Sequence, residues 1–187
     1  SVTLLEKENR VGRKLLATGN GRCNLMHTGE PVFFGDSIFA QAVMAHCGPE
    51  RVMGFWENLG LVMRTEEDGR VYPATNQAAT VLDCLRLRLE ASPLCAIKTG
   101  AFVINIKKTA KGFAVDTKEG THFEAPLVLV ASGGAAAPKL GGSDNLMGPL
   151  SRLGHRVIPF HPALCPLETD TRAIRGLSGL RVTAHLG

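Results

Sequence analysis

The sequence predicts an α/β fold, and three observations carry that expectation. A short apolar run, Val2 to Leu5, opens the chain and reads as a buried strand of the kind found inside a parallel sheet. Between Asn76 and Ala91, the residues Ala78, Val81, Leu82, Leu85 and Leu89 fall on one helical stripe. Three β-rich stretches then lead into Leu127-Val128-Leu129-Val130-Ala131, whose unbroken apolarity predicts a strand covered on both faces.

The remaining elements follow in order. Glu6 to Thr28 is polar and Gly-rich, which predicts a loop. Asp36 is placed to cap a helix running through Ala45 and ended by Gly48; Pro49 then suits the start of a second helix, Glu50 to Leu59, stopped by Gly60. Leu61 to Arg64 and Arg70 to Tyr72 flank the turn Glu67-Asp68-Gly69 as a hairpin. Ser92-Pro93 closes the long helix. Ala101 to Ile106, Phe113 to Thr117 and Thr121 to Phe123, separated by Lys111-Gly112 and Glu119-Gly120, predict a three-stranded meander. After Ser132-Gly133-Gly134 and a loop comes a short helix around Leu146 to Leu153, weakened by Gly148-Pro149.

Composition narrows the function classes. The 187 residues suit one domain, or one domain plus a fragment, and the 44% apolar content excludes a disordered tail. No apolar run approaches the roughly 18–20 residues of a membrane span, and Ser1 to Glu6 shows no secretory signal, so no membrane partner is expected. Five scattered cysteines, Cys23, Cys47, Cys84, Cys95 and Cys165, without a Cys-x-x-Cys pair suit a reducing compartment, and a cytoplasmic location is expected. The net charge of +4 is unclustered and aromatics are 5%, so no nucleic-acid partner is expected.

Two segments carry chemistry. Glu6 ends the first strand, where dinucleotide-binding folds place an acid that holds ribose hydroxyls; a solvated strand end is the alternative. As a ligand its charge would repel a 2′-phosphate, favouring FAD or NAD over NADP. No Gly-x-Gly-x-x-Gly occurs in the chain. The segment Gly12 to Asn24 combines small residues, Gly19 and Gly21 among them, with the cations Arg13, Lys14 and Arg22 and the neutral groups Thr18 and Asn24. Loop N–H groups and these side chains suit a phosphate-rich ligand, against the alternative of a surface loop with chance glycines. Cys23 lies inside it, as a packing residue or as a thiol near the ligand. The separated histidines lack the spacing of a zinc site, and Ser132 lacks a nucleophile elbow.

GRKLLATGNGRCN, RVYPATNQAATVLDCL, LVLVASGG and GHRVIPFHPALCPL, in that order, resemble the BaiN-like, aminoacetone-oxidase-like family of bacterial FAD-dependent flavoproteins. The resemblance implies a doubly wound, Rossmann-like FAD-binding domain with a meander crossover and an inserted β-rich domain. It divides this chain into an FAD-binding part, 1–160, and the start of the inserted domain, 161–187. It implies cofactor contacts from Glu6 and Lys7, from the loop residues Arg13, Lys14, Thr18, Gly19, Gly21, Arg22, Cys23 and Asn24, from the backbone of Val103 at the adenine edge, and from Ala131, Ser132 and Gly133. Arg22, Cys23 and Asn24 would lie nearest the isoalloxazine, and no catalytic acid or base is named.

Three features depart from the family pattern. The first strand with its Gly-rich turn and the C-terminal segment are missing, the run after Gly141-Gly142-Ser143 differs, and the chain stops after a strand-like Arg181 to Leu186. The chain is therefore expected to be the middle of a longer protein. The expected function is an FAD-dependent oxidoreductase acting on a small organic substrate or a nicotinamide donor, NAD(P)H; the alternative is a non-catalytic nucleotide-binding or interaction module.

Overall fold

The computed structural model describes residues 1–161 together with Asp170, Arg172 and Gly176; the expected strand Arg181 to Leu186, Cys165 and nearly all of the expected inserted domain lie outside the described residues. The fold begins with β1 (Val2–Leu5), α1 (Arg13–Ala17), a 3-10 turn at Thr18–Gly21, β2 (Met26–His27), α2 (Ser37–His46) and α3 (Pro49–Asn58). It continues through β3 (Met63–Thr65), β4 (Arg70–Pro73), α4 (Ala78–Glu90), β5 (Cys95–Lys98), β6 (Val103–Thr109), β7 (Gly112–Thr117), β8 (His122–Ala125) and α5 (Met147–Arg152). Among the described residues no helix is long and apolar enough to cross a membrane.

Three small sheets organise these elements: parallel β1-β5, antiparallel β2-β4-β3, and the antiparallel meander β6-β7-β8. The meander, the hairpin and the helices lie where the residue patterns place them. Asp36 caps α2 by accepting from Phe39 N–H at 2.9 Å, and Pro49 opens α3. The parallel partner of β1 is a strand the pattern does not reveal. Cys95–Lys98 spans only four residues, CAIK, too few to show a period.

The expected 6–28 loop is likewise partly ordered. Gly12 sits in the left-handed region at φ 82 and starts α1; Cys23 closes the turn by donating its N–H to Thr18 C=O; β2 then joins the free edge of β4. Gly12 is confined further, since a Cβ there would collide with Leu82 of α4.

Among the described residues, two apolar clusters form the core. In the first, buried Cys23, Leu61, Ala78 and Val81 gather Leu15, Leu16, Leu25 and Trp56 around α4. In the second, Ile106, Val115 and Leu146 gather Leu5, Phe113, Phe123, Val128, Val130 and Leu150 beneath the meander. Burying each such side chain contributes about 1.5–3 kcal/mol, and these clusters hold the short sheets in place.

Two expectations require correction. Leu127–Ala131 is not a strand covered on both faces, because Leu127 is 85% and Leu129 is 92% exposed while Val128 and Val130 pack on the second cluster. The side chains alternate, and among the described residues only the meander side offers a layer to bury against. Likewise β1 is not fully buried: Val2 is 65% exposed, and Leu4 and Leu5, on opposite faces of the strand, are each half-buried.

Across the meander, His122 Nδ1 lies 2.8 Å from Asp116 Oδ1 and Nε2 lies 3.5 Å from Glu124 Oε1. The hydrogen bond to Asp116, and then that to Glu124, holds the imidazole pKa above the usual histidine value. A raised pKa stabilises the fold below the unfolded value of about 6.5, and the contribution is lost as pH climbs through the raised folded value. The wild-type melting temperature should therefore fall more between about pH 6 and about pH 9 than that of His122→Gln; parallel curves would show that this pair contributes nothing. Gly12→Ala should cost about 1–3 kcal/mol in urea unfolding, from left-handed strain and the Leu82 contact together.

Candidate functional site

The carboxyl end of β1 is where an acid can face a ligand, and the backbone fixes its surroundings. Glu6 N–H donates to Lys98 C=O at 2.9 Å; Ala101 N–H donates to Glu6 C=O and Gly100 N–H to Glu8 C=O, each at 2.9 Å. These bonds carry the β1–β5 ladder past the strand ends and set the start of the meander beside Glu6. The Glu6 side chain turns back, its Oε1 accepting from Glu8 N–H at 2.9 Å. The Lys7 ammonium stands 5.5 Å from the centre of the Phe102 ring, and Lys7, Glu8, Phe102, Lys118 and Glu119 line an open depression of about 500 Å³. Phe102 and Glu119 are members of this site that residue spacing does not reveal, because each acts across a turn or a strand pairing.

The segment after Val130 folds over the same end. The Lys14 ammonium lies 3.7 Å from where a Cβ on Gly133 would stand, so these two sequence-predicted residues are brought together. Arg13 is held by Glu8 and donates to Lys139 C=O at 3.0 Å, which pins the 138–141 turn to the first loop. Gly142 is packed so tightly against Ala136 C=O that no side chain fits. Ala131, Ser132 and Gly133 are exposed at the mouth.

Val103 opens β6, where Asn145 Nδ2 donates to its C=O at 2.6 Å; a strand irregularity follows between Val103 and Asn105. The carbonyl expected at an adenine edge thus has a protein partner. Asn145 stands 42 residues away, a distance over which no sequence period operates.

At its far end, α1 passes into the turn Thr18–Gly21. Thr18 Oγ1 donates to Leu15 C=O at 2.6 Å, and a Cβ on Gly19 would stand 2.5 Å from Asn24 N. Gly19, Asn20, Gly21 and Cys23 all have positive φ, which folds six residues into a tight loop. Asn20 and Cys23 hold this conformation without being glycine, a local strain of order 1–3 kcal/mol each that the packing around them sustains. Cys23 is 6% exposed and lies in the first core cluster, so it anchors the loop from beneath. Gly21 and Asn24 face solvent.

Arg22 turns away from that mouth toward the hairpin. Its guanidinium stacks on Tyr72 at 3.8 Å from the ring centre, donates through Nε to Asn76 Oδ1 at 3.1 Å, and pairs with Glu66. Glu66 also receives Arg64 at 3.0 Å, and the hydrogen bond from Arg22, with that from Arg64, holds its carboxyl below the usual carboxylate range. Glu66, Tyr72 and Asn76 are further residues of the site. The only local signal for them is the motif RVYPATNQ, which contains two of the three.

A parallel strand pair ending in an acid, a short helix running into a glycine-bearing turn, and a meander that starts beside that acid are parts of a Rossmann-type domain. The chain belongs to the HI0933-like protein Rossmann domain family, an FAD-binding type, which residues 1–183 match. It is 34% identical over 188 residues to the 3-dehydro-bile acid delta(4,6)-reductase of Clostridium scindens, an alignment covering 99% of this chain and 45% of that protein. The chain therefore spans less than half the length of this curated relative.

Gly19→Ala should cost about 1–3 kcal/mol in chemical unfolding, because the new methyl meets backbone rather than a movable side chain. An unchanged midpoint would show that the turn does not close on Asn24.

Proposed function

We propose that the chain is the cofactor-holding part of an FAD-dependent oxidoreductase, with residues 1–160 forming the FAD-binding unit and 161–187 opening a β-rich insertion. The observation that carries this reading is that Glu6 and Lys7 follow the carboxyl end of β1 beside the start of the meander, while the Arg13–Glu8 pair ties α1 to the same segment and the next residue, Lys14, stands beside Gly133. The donor set fits the group: a carboxylate suits ribose hydroxyls, an ammonium beside a glycine suits a pyrophosphate, and the open backbone at Gly21 allows a flat ring to approach. Bound FAD would supply the redox chemistry, accepting or delivering a hydride or electrons. The chain's own work is to bind and orient it.

In this reading Glu6 accepts from ribose hydroxyls through the oxygen not held by Glu8 N–H. Lys7 and Phe102 flank the adenosine end, with Val103 alongside. Lys14, with the exposed backbone of Ala131, Ser132 and Gly133, faces the pyrophosphate. The turn Thr18 to Asn24 reaches the flavin end. Arg13 supports this arrangement through Glu8 and the Lys139 carbonyl. The relative's name, a reductase of a 3-dehydro-bile acid, supports a small organic substrate; in this reading NAD(P)H is the hydride donor and the protein works in the cytoplasm.

A second reading is a nucleotide-binding or interaction module without turnover. It is favoured by one observation: the guanidinium groups of both Arg13 and Arg22 are engaged by protein carboxylates, which leaves the loop less positive than its composition suggests.

The test is the visible absorption spectrum of the purified chain during titration with FAD. Flavin bands that travel with the protein through gel filtration are expected, and a colourless protein at saturating FAD would remove cofactor binding by this chain. Glu6→Ala should weaken FAD by about 1–3 kcal/mol, the value of hydrogen bonds to a charged group. Lys14→Ala should weaken it too and flatten its salt dependence, and an unaltered salt slope would take Lys14 off the pyrophosphate.

A further inference from the structure

Arg22 lies at the centre of a cluster that its sequence neighbourhood does not suggest. Three groups from outside the 12–24 segment meet its guanidinium: the Glu66 carboxylate from the hairpin turn, the Tyr72 ring from β4 and the Asn76 amide from the approach to α4. Asn76 itself has φ 56, a left-handed conformation that a non-glycine residue adopts where its surroundings enforce it. Its N–H donates to Pro73 C=O at 2.8 Å, closing the turn that presents the amide. On either side of Arg22 the chain is fixed as well. Cys23 is buried in the first core cluster, and Leu25 N–H donates to Val71 C=O at 2.8 Å. The guanidinium thus stacks one face on an aromatic ring and commits its Nε and one terminal nitrogen to an amide and a carboxylate, so its direction is set by the hairpin and the approach to α4.

We propose that Arg22 is a positioning residue rather than a cofactor ligand: with Glu66, Tyr72 and Asn76 it ties the turn Gly19–Asn24 to the β3–β4 hairpin and so sets the backbone of Gly21 and the amide of Asn24 toward the flavin. This inference rests on the FAD reading above, and it assigns Glu66, which lies 44 residues from Arg22, to the same site. The arrangement explains why a cation sits in a loop whose exposed members are neutral. Charge at position 22 acts sideways, on Glu66, and the ligand-facing groups are Gly21 and Asn24.

The test is a double-mutant cycle in the full-length flavoprotein, using FAD as the probe: Arg22→Ala, Glu66→Ala and the pair. The tether predicts that each single change raises the FAD dissociation constant by a similar factor, about tenfold to a hundredfold, and that the double mutant is no weaker than the worse single. It also predicts that the ratio of Arg22→Ala to wild-type affinity stays constant across salt, because no phosphate contact is removed. At saturating FAD, the long-wavelength flavin band should shift in the same direction in both single mutants, a change that lost global stability alone does not produce. A weakened Arg22→Ala beside an unaffected Glu66→Ala, or effects that add, would place the guanidinium on the cofactor and overturn the proposal. Should the wild-type protein hold no FAD, the cofactor reading fails by itself, and amide hydrogen exchange still decides the tether. Faster exchange at Cys23 and Leu25 in both single mutants, with β6 and β7 unchanged, supports it, and unchanged loop exchange overturns it.

Discussion

Parallel pairing between β1 and β5 is the constraint on which the rest of the site depends. Four residues on each side are in register, and the hydrogen bonds continue past the strand ends through Glu6, Glu8, Lys98, Gly100 and Ala101. A parallel pair needs a long crossover, and here that crossover contains the loop, three helices longer than two turns, and the hairpin. The ends of the ladder then decide where chemistry can occur. Side chains leaving the carboxyl edge of a parallel sheet emerge into a crevice, and the meander, starting three residues after Ala101's neighbour Gly100, forms one wall of it.

The electrostatics of that crevice differ from its composition. Arg13 and Arg22 contribute to the formal charge of the 12–24 segment, yet each is neutralised by a carboxylate from elsewhere, Glu8 and Glu66. Lys7 and Lys118, which line the depression beside β1, and Lys14, beside Gly133, carry positive charge near this end. Carboxylate partners of this kind contribute little to stability at a partly exposed site, but they fix direction: they determine which side of the loop each side chain leaves. The exposed groups of the turn, Asn20, Gly21 and Asn24, are consequently small and neutral.

Local rules made much of this legible. The meander, α2, α3 and α4 follow from apolar period, caps and glycine turns, all of which act within a few residues. The Gly12–Asn24 segment declared itself through its density of small and basic residues, and four ordered motif matches gave the family. What stayed hidden acts at long range or in short pieces. β5 is four residues long, and Asn145 reaches Val103 across 42 positions. The Leu127–Val130 run misled because unbroken apolarity specifies what a strand can bury, whereas the layers available to cover it are set by tertiary structure. Cys23 illustrates the same limit: its type allows either packing or reactivity, and only its place beneath the loop, against Leu61, Ala78 and Val81, shows the packing role.

The two apolar clusters share no residue. One holds α4, the hairpin and the floor of the loop; the other holds the meander and α5. Clusters that share no residue are free to differ in local opening free energy, the more so where polar contacts such as Arg13 with Glu8 and the Lys139 carbonyl are what join them. A dinucleotide lying from the meander edge to the Gly19–Asn24 turn would touch both, and its binding energy would weld two units into one. Ligand would then govern how the protein comes apart, turning a stepwise unfolding into a single transition whose sharpness reports occupancy.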